Sequence, residues 1–201
     1  AYPCACSRKD LPESGIYPGT CRNGIAPGKE ARSVRLQVKE DSCEFIDKIQ
    51  GLVSDSPAGI SGDFIIQRAD GLYAYQLAVV VDDAYQGVTQ VVRGADLLDS
   101  TSRQICLQKA LGYKTPDYVH LPVAMSADGR KLGKRFQTDP VANNDPARAV
   151  ELALRFLGQD PPPNSSLDSL WEWALENWSS ELVPREREIY PDRETSGFDR
   201  V

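Results

Sequence analysis

The chain has 201 residues, 41% of them hydrophobic, enough to bury the core of one or two domains. Its formal charge of -6 at pH 7 argues against a protein coated in cations for indiscriminate nucleic-acid binding, and its single histidine, His120, excludes multi-histidine metal centres. No apolar run approaches the roughly 20 residues that span a bilayer and no signal-peptide core opens the chain, so a soluble cytoplasmic protein is expected, in which five cysteines argue against a disulfide framework.

Residues 1–60 are rich in Gly, Pro, Ser and Cys and predict a small module in need of a staple, with one strand from Ser33 to Val38 where Val34, Leu36 and Val38 alternate with polar residues. Cys4 and Cys6 are poorly spaced to bridge each other, but both thiolates can face one soft cation, and Cys21 can return as a third ligand. A structural zinc is favoured over unpaired buried thiols. Tyr17, Asp10 and Cys43 are the candidates for a fourth ligand, while Cys43 and Cys106, in apolar surroundings, otherwise read as packing residues.

From Gly62 the texture changes. GDFIIQR and LYAYQLAVVV flank Asp70-Gly71, which predicts a hairpin, with Tyr75 on an apolar strand that ends at Asp82-Asp83. GVTQVVRG predicts a further buried strand, leaving Arg93 near the strand end where α/β sheets place ligands. A helix is predicted from Thr101 to Leu111, capped by Ser100 and stopped by Gly112, and Tyr118 to Met125 reads as the next strand, with His120 as a hydrogen-bonded structural residue. Strand, helix and strand in succession predict a right-handed βαβ unit in a parallel sheet.

Arg130 to Arg135, RKLGKR, then place four cations and no acid on a turn opened by Asp128-Gly129. Either this is a solvated basic turn, or Lys131 and Lys134, three apart around Gly133, swing onto a triphosphate. Beyond it, Asn144 or Asp145 caps a helix that starts at Pro146 and stops at Gly158, Pro161 to Pro163 form a stiff spacer, and Ser166 caps a helix from Leu167 to Trp178. On that helix Leu167, Leu170, Trp171, Ala174, Leu175 and Trp178 form one stripe, which predicts packing, and the last twenty residues, alternating charge and proline, read as a mobile tail.

Taken together, GDFIIQRADGLYAYQLAVVVDDAYQGVTQVVRGADLLDSTSRQICLQKALG, HLPVAM and ADGRKLGKR resemble, in order and spacing, the second half of the class I glutamyl-tRNA synthetase catalytic domain, over Gly62 to Arg135. Within that class the chain is similar to the glutamyl-Q tRNA(Asp) synthetases, a paralogous family without an anticodon-binding domain. The resemblance implies an α/β, Rossmann-like half-domain with a zinc-binding insertion at 1–60, the half-domain itself at 61–127, and a KMSKS-type loop with a helical region at 128–201. It implies a ligase that activates glutamate with ATP and Mg2+ and transfers it to the queuosine base of tRNA(Asp), working as a monomer. It places Tyr75 and Arg93 on the glutamate, Lys131 and Lys134 in the catalytic loop, Lys134 on ATP, and Cys4, Cys6, Tyr17 and Cys21 on zinc.

Position 133 is Gly where the loop motif has Ser, and neither an HxGH nor an RFAPSPSG-type segment occurs, so the resemblance implies a fragment that begins at the zinc module, or half of a cleaved enzyme, incomplete and inactive by itself. Two other readings are a fragment of a discriminating glutamyl-tRNA synthetase and a non-catalytic, zinc-containing tRNA-binding module.

Overall fold

The computed structural model describes residues 1–39, 42–126, 128–132 and 145–190. The chain divides into two compact units, Ala1–Ile46 with Leu52–Val91 and Leu97–Tyr118, and Asp47–Gly51 with Val92–Asp96 and Val119–Val201.

The first unit opens with an antiparallel sheet in the order β1-β2-β5, formed by Tyr2–Cys4, Ser33–Leu36 and Phe64–Gln67. β2 occupies the predicted stretch, but its faces are not divided as the alternation predicts. Ser33 and Arg35 are the buried residues, whereas Val34 and Leu36 are half-buried. A guanidinium is tolerated there because it is partnered: Arg35 Nη1 donates to the Asp63 carbonyl at 2.7 Å, its Nε lies 3.3 Å from Cys4 Sγ, and its Cζ stacks 3.8 Å from the Tyr17 ring centre.

Asp63 closes this arrangement. Its fully buried carboxylate receives Arg22 Nε at 2.6 Å and Nη2 at 2.7 Å, the Tyr2 hydroxyl at 2.5 Å, and the Val38 amide at 2.9 Å. Burial pushes the Asp63 carboxyl up, but the Arg22 guanidinium and the Tyr2 and Val38 donors outweigh it and hold the group below the ordinary carboxylate range.

The Asp70-Gly71 turn forms as predicted, with Gly71 at φ 83, but its hairpin is a single bridge between Gln67 and Tyr73. The apolar run that follows is not a strand. Tyr75–Gln86 is a helix, α2, ended by Gly87 in the left-handed region at φ 70; the short helix α1, Pro57–Ile60, precedes β5. A continuous apolar run has no distinguishing period. Here the partner decides: Leu77 and Val80, one turn apart, pack with Phe64, Val38 and Leu107, while Gln76 on the same side bonds Ser100 and Gln104 at 3.0 and 2.9 Å. Asp82 and Asp83 therefore stand on a helix rather than closing a strand.

Helix α3, Leu98–Leu111, stops at Gly112 as predicted but starts earlier than Ser100, which is buried inside it. It carries apolar residues to two sides. Leu107 joins the α2 and β5 cluster, and Ile105 packs with Cys43 and Tyr118, where Phe45 meets Tyr118 edge-on at 5.8 Å. Of the polar residues enclosed with them, Gln108 donates its Nε2 to the Tyr118 hydroxyl at 2.9 Å, while Gln108 Oε1 and Ser102 Oγ are buried without a hydrogen-bond partner among the described residues.

A second sheet takes Cys43–Asp47 (β3), Gly51–Asp55 (β4), Gln90–Gly94 (β6) and Asp117–Leu121 (β7) in the order β4-β3-β7-β6. β6 and β7 are hydrogen-bonded neighbours joined through α3, the strand-helix-strand unit the sequence predicts. β6 is at the sheet edge and not buried as predicted, with Val92 56% exposed.

In the second unit Pro122 interrupts the strand predicted from Tyr118 to Met125, and Val123–Ala124 (β8) pairs instead with Glu188–Ile189 (β9). Those two residues lie within the stretch predicted to be a mobile tail, which is corrected there; 191–201 lie outside the described residues. Helices Pro146–Phe156 (α4) and Leu167–Asn177 (α5) form as read, capped by Asp145 and Ser166, and pack through Leu154, Leu170 and Ala174. Of the predicted stripe on α5, Trp171 and Leu175 remain 51% and 85% exposed along an apolar cavity of about 510 Å3.

Leu107→Ala is expected to lower stability by about 2–5 kcal/mol, read as a drop in the denaturant midpoint. The Asp63 carboxyl titrates lower when folded than its unfolded value of about 3.9, so its stabilisation is complete above that pH and is lost as pH falls through the folded value. Asp63→Asn is therefore expected to lower the melting temperature at neutral pH and to flatten its fall below pH 4, as followed by circular dichroism.

Candidate functional site

The fold gathers one group of the predicted residues tightly. Cys4 ends β1, Cys6 follows two residues later, and Cys21 returns after the loop that carries Tyr17. The Sγ atoms of Cys4, Cys6 and Cys21 all lie within 4.8 Å of one another. The Tyr17 hydroxyl stands among them, 3.4 Å from Cys4 Sγ and 3.8 Å from Cys6 Sγ, and accepts the Cys21 amide at 2.9 Å. The alternatives for a fourth donor are engaged elsewhere: Asp10 accepts from the Ser7 amide and hydroxyl, both at 2.7 Å, and Cys43 is buried against Ile105 and Tyr118.

Tyr17 is pinned from behind. Its amide donates to the Ser61 carbonyl at 3.1 Å, and a Cβ at Gly62 would fall 2.1 Å from the Tyr17 carbonyl oxygen. Gly62, at φ 61, is thus the residue that lets the entry to β5 press against the thiol loop.

The electrostatics of the cluster differ from one thiol to the next. Burial pushes the Cys4 thiol up, but the Tyr17 hydroxyl and the Arg35 guanidinium stabilise its thiolate more and bring it down to about 7. Burial raises the Cys6 thiol and, with the thiols around it, the Tyr17 phenol. Three convergent sulfurs, one of them poised to ionise near neutrality, make a donor set suited to a soft divalent ion, so Cys4, Cys6 and Cys21 can hold a metal. Beside them opens a cavity of about 370 Å3 whose lining includes Arg8, Arg32 and Arg68.

A second group lies in the other unit. Arg93, half-buried on β6, donates its Nε–H to His120 Nε2 at 3.0 Å, and His120 Nδ1 is 2.6 Å from Asp47 Oδ2. His120 and Asp47 are buried, at 0% and 1% exposure. Burial pushes the Asp47 carboxyl up, and hydrogen bonds from His120 and from the amides of Gln50, His120 and Ile49 outweigh it, leaving the group below its ordinary range.

Three residues beyond Arg93, Asp96 holds Lys131 Nζ at 2.6 Å. Lys131 also bridges Met125 through its backbone, while Gly129 at φ 78 turns the chain and Arg130 pairs with Asp128, whose carboxyl it pulls down to about 2. The described part of the basic loop is therefore a tight hairpin with one lysine drawn to a carboxylate. Gly133 and Lys134 lie outside the described residues. Tyr75, the first residue of α2 and half-exposed, belongs to the first unit.

Sequence reasoning missed Arg22, Arg35, Asp47 and Asp63. Arg35 carries the only local signal, a cation at an alternate position of a short strand; the others become visible only through partners 25 to 73 residues away.

The family described as tRNA synthetases class I (E and Q), catalytic domain, matches residues 16–155. A glutamyl-Q tRNA(Asp) synthetase of Aromatoleum aromaticum is 50% identical over 195 residues, spanning 92% of this chain and 62% of that protein. One from Pseudomonas aeruginosa is 48% identical over 189 residues, 92% of this chain and 64% of the other. The chain thus spans somewhat less than two thirds of the length of these curated relatives. In fold it is similar to a glutamate-tRNA synthetase from Elizabethkingia anophelis, with TM-score 0.58, 23% identity, and coverage of 83% of this chain and 38% of that one. With a catalytic-domain match across most of its length, the chain belongs to the class I tRNA synthetases of the E and Q type.

Proposed function

We propose that this chain is part of a protein that activates glutamate with ATP, with Mg2+ on the nucleotide, and transfers it to the queuosine base of tRNA(Asp), acting as a cytoplasmic monomer. The observation that carries the reading is the identity of about half of the residues, across 92% of the chain, with proteins named for that reaction. Residues 1–60 serve as a zinc-binding insertion, 61–127 as the second half of a Rossmann-like catalytic domain, and 128–201 as the KMSKS-type loop and helical region.

The reaction runs by attack of the glutamate α-carboxylate on the α-phosphorus of ATP, breaking the bond to pyrophosphate. Negative charge builds on the phosphoryl oxygens as that bond lengthens, and a lysine held nearby stabilises it. Lys131 and Lys134 take this role, with Lys134 also binding ATP. The Lys131–Asp96 pair supports the assignment: the ammonium is held in place by a half-exposed carboxylate that a polyphosphate, with its greater charge, can displace. Arg93 and Tyr75 receive the amino acid, the guanidinium suiting bidentate recognition of a carboxylate and the phenol adding orientation.

At the thiol cluster, Cys4, Cys6, Cys21 and the Tyr17 hydroxyl hold zinc. The ion staples β1 to the loop that returns through Tyr17, a role in folding rather than in the chemical step.

Three measurements test the reading on the full-length protein. Labelled glutamate is expected on queuosine-containing tRNA(Asp), and label on tRNA(Glu) instead would overturn the assignment of the acceptor. Lys131→Ala and Lys134→Ala are each expected to slow glutamate-dependent ATP–pyrophosphate exchange on the order of 100-fold. Elemental analysis should return one zinc per chain, with Cys4→Ser lowering both the zinc content and the melting temperature; a metal-free protein with reduced, fully titratable thiols would refute the staple.

A further inference from the structure

Arg93 is not an isolated cation on an edge strand. Its Nε–H donates to His120 Nε2 at 3.0 Å, so that nitrogen must carry a lone pair. The proton of the neutral ring then sits on Nδ1, where Asp47 Oδ2, 2.6 Å away, accepts it. A doubly protonated ring would set one N–H against another, so the geometry selects a single tautomer. Asp47 itself cannot turn, because its Oδ1 accepts the amides of Ile49, Gln50 and His120 at 3.0, 2.9 and 3.2 Å. Gln50 Nε2 ties the same tight turn to the His120 carbonyl at 3.0 Å. A rigid backbone turn thus reaches Arg93 through a carboxylate and an imidazole, both buried.

We propose that Asp47 and His120 are positioning residues for the amino-acid substrate: they lock the plane of the Arg93 guanidinium so that it meets the substrate carboxylate in a fixed orientation. The inference rests on the reading of Arg93 as a glutamate contact given above. An arginine on an edge strand has four side-chain torsions to settle before a two-pronged contact forms, and anchoring Nε removes most of that freedom before the substrate arrives. Two groups are needed because the imidazole can accept from Arg93 only while a buried carboxylate holds its proton on the opposite nitrogen.

Asp47→Asn separates this role from packing. The amide has the carboxylate's shape, and the three backbone N–H groups keep its oxygen on their side, so its NH2 faces His120 Nδ1 and drives the ring proton onto Nε2, against Arg93. In the full-length protein the KM for glutamate is expected to rise about tenfold, with the KM for ATP and kcat changing less than threefold. His120→Leu is expected to do the same, and His120→Gln, whose carbonyl can stand in for Nε2, to restore most of the lost glutamate affinity. Nitrogen-15 spectra of the imidazole, assigned by its loss in His120→Gln, should show the proton on Nδ1 in the wild type and on Nε2 in Asp47→Asn.

An unchanged glutamate KM in Asp47→Asn with wild-type ATP kinetics would overturn the proposal, as would a wild-type ring protonated on Nε2. If Asp47→Asn does not fold, the Leu and Gln variants decide: equal glutamate KM values for the two refute the proposal. A wild type that fails to activate glutamate overturns the reading of the reaction instead, and the imidazole spectra then decide whether the relay to Arg93 exists.

Discussion

A carboxylate sealed from water must be matched by donors, and in the first unit that requirement organises everything around the thiols. Asp63 draws together Arg22 from the cysteine loop, Tyr2 from β1 and the Val38 amide beyond β2. Its own carbonyl holds Arg35, which in turn stacks on Tyr17 and reaches Cys4. The position of two of the thiol-cluster residues is therefore set by a charge network behind them, much as outer groups fix the orientation of metal ligands. Removing one member of such a network leaves a buried charge unpaired, which costs more than the pair contributes.

The same device recurs at Asp47. Both aspartates are buried, both lie below their ordinary titration range despite burial, and both accept backbone amides on the way to an arginine, Asp63 directly and Asp47 through His120. The difference is in what the arginine does next. Arg35 looks inward to a cluster of sulfurs, whereas Arg93 is half-buried on an edge strand of the sheet. Edge placement leaves a side chain accessible but poorly restrained, and the His120 contact supplies the restraint that sheet packing does not.

The thiol set was legible because metal chemistry imposes spacing: two cysteines two apart and a third returning in the same loop announce a convergent donor set by residue type and separation alone. Helix α4, α5 and the end of α3 were legible for a similar reason, since caps and stop signals are local, as Asp145, Ser166 and Gly112 each confirm. The run from Tyr75 to Gln86 was not. Its valines favour a strand by intrinsic preference, and only the contact of Leu77 and Val80 with Phe64 and Leu107 makes a helix the better solution. The exposed Trp171 and Leu175 show the converse, a regular apolar stripe wider than the face α4 covers.

The sequence by itself determined the chemistry on offer: convergent cysteines, a basic turn opened by Asp-Gly, an arginine at a strand end, and the motif order that matches a class I synthetase. These depend on residue type and short spacing, which the chain carries without folding. Only the tertiary structure decided which charges are buried and what holds them, because Asp63 meets Arg22 across 41 residues and Asp47 meets His120 across 73. Desolvation depends on the whole surrounding volume, so the groups that fix Tyr17, Cys4 and Arg93 in place could be found only once those distant segments were packed together.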